Sequence, residues 1–144
     1  MNAAQNEIQG ISAVERALAA AGIVAGTTGA YMVWYFDPAQ VNFLPVCPLY
    51  AFTGFACPGC GLTRGFHALF HGDLTTALDY NALIPLFAII WGFFLVSMLS
   101  VAVRGRGIVK QAYLPKGMIG FLILLLVFGV VRNIPFYPFT LLYP

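Results

Sequence analysis

The sequence predicts an all-α integral membrane bundle of three transmembrane helices, with an amphipathic or re-entrant cysteine-containing helical segment between the first and the second. Composition and hydropathy carry this prediction. Of the 144 residues, 60% are hydrophobic and 8% are charged, whereas about 25% of the residues of a soluble domain are charged. Three apolar runs also approach the roughly 20 residues that a helix needs to cross a bilayer. We therefore expect residues 1–144 to form a single membrane domain.

The first predicted span covers residues 17–36. It is rich in Ala and Gly and ends in Tyr31, Trp34, Tyr35 and Phe36. Such a cluster of aromatic residues is typical of a membrane interface. A signal peptide would begin with basic residues and end in a small-residue cleavage site. Because neither is evident here, we expect this segment to remain in the mature protein.

The second and third predicted spans cover residues 82–103 and 117–134. The second carries no charge, and Pro85 lies near its start, where the missing N–H of a proline costs least. The uncharged part of the third is only about 15 residues long, which is short for a span. It reaches a sufficient length only if the helix continues through Arg132 and Asn133. Because these residues are charged and polar, we expect the end of the span to be strained.

Residues 104–116 form a basic loop between these two spans. It contains Arg104, Arg106, Lys110 and Lys116 and no acidic residue. By the positive-inside rule this loop and the N-terminus are cytoplasmic. Residues 37–81, with all three cysteines, are then extracytoplasmic, and the proline-interrupted tail 135–144 is predicted to lie along the same interface.

The Cys-Pro-Gly-Cys segment is predicted to begin a helix near Cys57. Pro58 suits the first helical position and Gly72 suits the far end. Asp73 can then cap a second helix over residues 74–80. With 100° between successive residues the first helix is amphipathic. Its apolar face carries Leu62, Phe66, Leu69 and Phe70, and its polar face carries Cys60, Arg64, His67 and His71.

In a redox interpretation, Cys57 and Cys60 form a dithiol at a helix N-terminus, where the helix dipole lowers the pKa of a thiol. Arg64 would add positive charge and activate the attacking thiolate. The alternative is a structural disulfide, which an oxidising compartment favours, with Cys47 left over. We favour the structural bond, because nothing that resembles a thioredoxin domain surrounds the pair.

In a metal interpretation, Cys57, Cys60, His67 and His71 have the terminal spacings of a zinc site. On one continuous helix these four residues would extend over about 20 Å, so a break near Gly61 or Gly65 is required. Cys47, Cys57, Cys60 and one histidine make the better geometry. The histidines alone would more simply anchor the interface.

In a packing interpretation, the glycines of this segment allow close approach to the spans, and Arg64 pairs with Asp73 or Asp79. Arg132 belongs to the same argument. An arginine buried in a membrane costs about 3 kcal/mol or more without a partner, so it should snorkel or contact Asp73 or Asp79.

The stretch Cys57-Pro-Gly-Cys-Gly-Leu-Thr-Arg64 resembles the Cys-Pro-x-Cys-Gly-x-Thr-Arg signature of a bacterial family of small membrane proteins of unknown function. The resemblance continues through Cys47-Pro48, His71-Gly-Asp-Leu74, Ala77-Leu78, Asn81 and Arg132-Asn-Ile-Pro135. It covers nearly everything after the first span. The sequence departs from it at Ala82, where the family often has proline. The resemblance implies a multi-pass protein of the bacterial cytoplasmic membrane. It also gives weight to Cys47, Cys57, Cys60, Thr63, Arg64, Asp73, Asn81, Arg132 and Asn133.

These observations predict a small polytopic membrane protein with a structural or binding role for its extracytoplasmic cysteine segment. The alternatives are a membrane thiol–disulfide oxidoreductase or electron carrier, and a zinc-binding module. Hydrolase and nucleotide-binding motifs are absent from the sequence. A net charge of +2 without a basic cluster argues against nucleic-acid binding. The expected partners are the lipid bilayer and either another membrane protein or a second copy of the chain.

Overall fold

The computed structural model describes residues 12–38, 40, 47–106 and 114–142. Within these ranges the chain is helical and contains no strand, which confirms the all-α prediction. Its six α-helices are followed by a short 3-10 helix at Phe139–Leu142. The α-helices are α1 (Ala13–Tyr35), α2 (Pro48–Thr53), α3 (Leu62–Phe70), α4 (Leu74–Tyr80), α5 (Ile84–Arg104) and α6 (Leu114–Val131).

Helices α1 and α5 pack against each other in antiparallel directions. Ser12 and Glu15 form a capping box at the start of α1, which satisfies backbone N–H groups that the helix leaves free. One turn later, Arg16 donates from Nε to the carbonyl oxygen of Ala102 at 3.0 Å. This bond places a cation at the C-terminal end of α5, where the helix dipole favours positive charge.

Helices α3 and α4 form a tight hairpin that packs against the start of α5. Gly72 turns the chain with a φ of +82°, and the side chain of Asp73 accepts a hydrogen bond from the backbone N–H of Thr76. Both features agree with the sequence prediction. The hairpin encloses a small core of Ala68, Ala77 and Ile84, against which Leu62, Phe66 and Leu69 pack. The apolar face of α3 therefore lies where its periodicity predicts.

Helix α6 approaches the cysteine segment at its C-terminal end. A Cβ atom on Gly129 would lie 3.0 Å from Cγ of Pro58, so a glycine here lets the two segments lie close together. The helix begins before residue 117 and ends at Val131, rather than continuing to residue 134. Arg132 and Asn133 form a turn instead, because their side chains bond to the cysteine segment.

Two helices, α1 and α5, are long and apolar enough to cross a membrane, and a shorter apolar helix covers Gly117–Val131. Only 6% and 0% of the residues in the apolar windows of α1 and α5 are buried, whereas the core helix of a soluble protein would be mostly buried. Among the described residues, α1 and α5 are therefore candidate membrane spans, in support of a membrane protein. Residues 1–11, residues 107–113 of the basic loop with Lys110, and the last two residues of the tail lie outside the described residues.

Candidate metal centre

Three cysteine side chains converge beside the C-terminal end of α6. The sulfur atoms of Cys47, Cys57 and Cys60 all lie within 4.8 Å of one another. The Sγ atoms of Cys57 and Cys60 are 3.3 Å apart. All three are free thiols and half-buried, so the cluster is neither sealed in the core nor fully exposed.

Two short turns bring the sulfur atoms together. Cys47 precedes α2, whose first residue is Pro48, a favourable residue for the first helical position. Cys57 and Cys60 belong to a turn that is closed by a hydrogen bond from the N–H of Cys60 to the carbonyl of Cys57 at 3.0 Å. The N–H of Cys57 also points at the sulfur of Cys60, at 3.2 Å. We call residues 57–60 the cysteine loop.

The predicted helix from Cys57 begins one turn later than expected. Gly61 has a φ of +80° and precedes the first residue of α3, Leu62. A left-handed residue interrupts helical geometry and is tolerated by glycine at little cost. The break therefore occurs at one of the two glycines where the metal interpretation required it, and the cysteine loop lies outside the helix.

Two polar side chains from distant parts of the chain hold the carbonyl groups of the cysteine loop. Arg132 donates from Nη1 to the carbonyl oxygens of Cys57 and Cys60, at 2.9 and 3.2 Å. Asn81 donates from Nδ2 to the carbonyl oxygens of Pro58 and Cys60, at 2.8 and 3.1 Å. Arg132 is 0% exposed and Asn81 is 1% exposed, so these contacts form where competition from water is weakest.

Asn133 fixes the residue before the loop. Its side chain accepts from the N–H of Ala56 at 2.9 Å and donates to the carbonyl of the same residue at 2.8 Å. It also donates to the carbonyl of Gly129 at 2.7 Å. Ala56 itself is buried. One amide side chain thereby joins the last turn of α6 to the cysteine segment.

The contacts of Arg132 described here are with backbone carbonyls and an aromatic ring, whereas we expected an aspartate. Besides the two carbonyls, its guanidinium lies 5.1 Å from the centre of the Phe128 ring, a distance at which a cation is attracted to an aromatic face. The carboxylate of Asp73 instead accepts from Thr75 Oγ1 at 2.8 Å and from the N–H of Thr76 at 3.0 Å. These hydrogen bonds lower the pKa of Asp73 to about 2, and those from Thr76 have the largest effect.

The three thiols are electrostatically unequal. A hydrogen bond from the backbone of Tyr50 and a weaker effect of the Cys57 thiol lower the pKa of Cys47 to about 7. Burial has the largest effect on Cys60, and together with the hydrogen bond with Cys57 it raises the pKa of this thiol to about 12. The sequence predicted thiolate character at Cys57 or Cys60 from a helix N-terminus. A lowered pKa is found instead at Cys47, mainly because of the hydrogen bond from the backbone of Tyr50.

The two histidines lie against α1 and do not join the sulfur atoms. Nδ1 of His67 is 2.7 Å from the carbonyl oxygen of Val33. The His71 ring stacks on Trp34 with centroids 6.1 Å apart, and its Nδ1 is 2.8 Å from the carbonyl of His67. Among the described residues, the cluster of metal-ligating groups around the cysteine loop contains the three cysteines alone.

The remaining predicted residues surround the site. Arg64 and Thr63 are exposed in the first turn of α3. Thr63 borders a cavity of about 350 Å³ that α1, α3 and α5 line. Asp79 is exposed on α4.

Sequence reasoning missed the contribution of two residues. Ala56 offers only its backbone to Asn133, and Gly129 makes room for Pro58. A single alanine before a cysteine, or a glycine within an apolar span, carries no distinctive signal. The polar side chain of Asn133, near the end of the third predicted span, was the one available hint.

Residues 47–95 match a family model described as a protein of unknown function (DUF2752). The matched range includes all three cysteines, and it fits the uncharacterised family of small membrane proteins that the signature resembles. It ends before α6, so Arg132 and Asn133 lie outside it. No curated protein and no solved structure gave a significant match.

Proposed function

We propose that this protein binds a thiophilic metal ion, with zinc as the first candidate, through Cys47, Cys57 and Cys60 at the outer face of a bacterial cytoplasmic membrane. The convergence of three sulfur atoms within 4.8 Å carries the proposal. In tetrahedral zinc sites the Zn–S distance is about 2.3 Å, which places the sulfur atoms about 3.8 Å apart. The sulfur–sulfur distances here, from 3.3 Å between Cys57 and Cys60 to at most 4.8 Å, lie on either side of this spacing.

The backbone around the cluster supports a binding role. Two of the three residues that contribute sulfur, Cys57 and Cys60, are held by Arg132 and Asn81 through their backbone carbonyls. Hydrogen bonds to the loop backbone leave the thiol groups available as ligands. Such outer contacts orient metal ligands, and removing them in known sites weakens metal binding by about 10–100-fold.

The distribution of charge supports the proposed membrane orientation. Arg16 contacts the carbonyl of Ala102 near the C-terminal end of α5, while Asn81, which bonds the carbonyls of the cysteine loop, precedes the start of α5. The basic residues Arg16 and Arg104 and the cysteine cluster therefore lie at opposite ends of the α1 and α5 pair. With α6 as the third span, basic groups face the cytoplasm and the thiols face outward.

A titration of the purified, reduced protein with Cd²⁺ in detergent tests the proposal. Sulfur-to-cadmium charge-transfer absorbance should rise to an endpoint of one ion per chain. Cys47→Ser and Cys57→Ser should each weaken binding by at least tenfold, since each removes one of three ligands. Ser97→Ala, which leaves the cysteine cluster intact, is the control. Absence of charge-transfer absorbance in the folded wild-type protein would refute metal binding.

One observation favours a second function, thiol–disulfide exchange. The Sγ atoms of Cys57 and Cys60 are only 3.3 Å apart, and the nearby Cys47 has a pKa of about 7. In this reaction Cys57 and Cys60 transfer two electrons and two protons to a partner disulfide. A Cys57–Cys60 disulfide forms as the partner is reduced to a dithiol. Equilibration with glutathione buffers tests it: reversible interconversion between about −300 and −180 mV supports exchange, and a bond that stays permanently reduced or oxidised opposes it.

A further inference from the structure

The cysteine cluster supplies three ligands, whereas a structural zinc site is closed by four. A site with three protein ligands keeps one position for a molecule from outside the chain. Whether the chain itself can supply the fourth donor is decided by the positions of its other metal-ligating side chains. Besides the cysteines, the sequence has only two histidines and five acidic residues.

Neither histidine joins the sulfur atoms. The Nδ1 atom of His67 contacts the backbone of α1 at Val33, and the ring of His71 stacks on Trp34. Among the described residues, the metal-ligating groups that converge here are the three cysteines, without either imidazole ring. The histidines therefore fasten α3 to α1.

The acidic side chains that the structure describes make other contacts or lie outside the cysteine cluster. Asp73 caps α4, and Glu15 belongs to the capping box at the opposite end of α1. Asp37 accepts a hydrogen bond from Gln40 at 3.0 Å. Asp79 is exposed on α4, outside the converging group. Glu7 precedes α1 in sequence, beyond the end that carries Glu15, and lies outside the described residues.

The cysteine loop is also open to approach. All three cysteines are half-buried, and Gly59 between two of them is exposed. A Cβ atom on Gly59 would lie 3.8 Å from the sulfur of Cys57. A larger side chain at this position would extend beside that sulfur, so glycine leaves the cluster accessible to an incoming ligand.

Nearby charge favours an anionic ligand. Three thiolates and one divalent ion carry a net charge of −1. The buried guanidinium of Arg132 bonds the carbonyls of two of the ligating residues, and Arg64 is exposed in the first turn of α3, directly after the loop. Two cations adjoining the cysteine loop partly offset the charge of a fourth thiolate.

We propose that the fourth coordination position is filled by a thiolate from outside the chain, so that the metal ion is held exchangeably and can pass to or from a thiol-bearing molecule. This inference rests on the proposed metal-binding function. The donor is a free low-molecular-weight thiol or a cysteine of another protein, and both have the same ligand chemistry. No electron transfer is involved, because the incoming thiol loses only a proton when it binds the ion.

Cobalt substitution of the full-length protein tests the inference without any variant. Co²⁺ reports sulfur ligands by charge-transfer absorbance and coordination geometry by its visible bands. We expect the Co²⁺-loaded protein to show sulfur charge transfer, and 2-mercaptoethanol to change the visible bands saturably. No sulfur charge transfer would refute the proposed function. Sulfur charge transfer with visible bands insensitive to added thiol would overturn the inference alone.

Two further arms identify the source of the donor and exclude an internal ligand. A synthetic peptide with one cysteine is compared with 2-mercaptoethanol, with a serine peptide as the control. Saturation at a tenfold lower concentration of the cysteine peptide supports a protein donor, whereas equal saturation supports a free thiol. His67→Gln and His71→Gln should leave the Co²⁺ bands unchanged. A change in these bands with either variant would show a histidine closing the site and would overturn the inference.

Discussion

The guanidinium of Arg132 donates a hydrogen bond to the carbonyl oxygen of Cys57 at 2.9 Å, although 75 residues separate them. The arginine is 0% exposed. Desolvating a guanidinium is costly, so it persists where hydrogen bonds and an aromatic face offset that cost. The contact makes the end of α6 and the cysteine loop one structural unit.

Replacing Arg132 should therefore destabilise the protein and loosen the cysteine loop. Arg132→Ala removes charge-assisted hydrogen bonds to the carbonyls of the half-buried Cys57 and Cys60, and we expect the free energy of unfolding to fall by about 3 kcal/mol. Arg132→Lys keeps the charge and should lose less. Unfolding in detergent measures the effect, with the exposed Arg106→Ala as the control. Equal stability of Arg132→Ala and Arg106→Ala would contradict the structural role.

Gly65 should be needed for the close contact between α3 and the start of α5. A Cβ atom at this position would lie 2.7 Å from Cδ1 of Ile84 and 3.1 Å from the carbonyl oxygen of Ala77. Both neighbours are 0% exposed, so they have little room to move. We expect Gly65→Ala to lower the free energy of unfolding by about 1–3 kcal/mol.

Gly92→Ala is the matched control for Gly65→Ala, because a Cβ atom at Gly92 would meet nothing within 4 Å. It should leave the unfolding transition unchanged or raise its midpoint slightly, since alanine favours helix. If the two variants unfold at the same temperature, the close packing of α3 on α5 is wrong.

The local features of the site follow from sequence, whereas its long-range contacts do not. Gly72 and Asp73 are recognisable because a left-handed turn and an N-cap have restricted residue preferences. The partners of Arg132 are backbone carbonyls, which every residue possesses. Their identity depends on the tertiary fold.

The start of α3 and the position of Cys47 also depend on the tertiary fold and could not be predicted from local sequence. A proline after Cys57 is compatible with a helix there, but the left-handed conformation of Gly61 moves the start by one turn. The sequence leaves the role of Cys47 open, because it is the left-over thiol in the disulfide interpretation and a ligand in the metal interpretation. Helix α2 folds between them and returns the chain to the cluster.

The pH dependence of alkylation should distinguish the thiols. Because the thiolate is the reactive form, a pKa of about 7 for Cys47 predicts that its alkylation rate rises as pH increases through about 7. Cys60, with a pKa of about 12, should stay slow until strongly alkaline pH. Iodoacetamide labelling of reduced, metal-free protein, followed by peptide mass spectrometry, measures each rate.

Cys47→Ser is the control for the alkylation profile and should remove the component with a midpoint near pH 7. A Cys47 midpoint near 8.5, the value of an unperturbed cysteine, would show that neither the first turn of α2 nor the neighbouring thiol acidifies it.

The proposed orientation predicts on which side of the membrane the thiols react. In intact spheroplasts, a membrane-impermeant maleimide should label the cysteine cluster after mild reduction and metal chelation. Lys110→Cys in a background with all three native cysteines changed to serine should react only in inverted vesicles. The opposite pattern would reverse the orientation that the basic loop indicates.

The measurement that tests the central claim most directly is the intact mass after thiol alkylation, with and without prior reductant, together with metal analysis of the same sample. The protein should be purified in detergent without reductant or chelator. The account predicts about one thiophilic ion per chain and three alkyl groups without reduction, once the ion is removed under denaturing conditions. One alkyl group before reduction, three after it and no bound metal would contradict it and assign Cys57 and Cys60 to a disulfide.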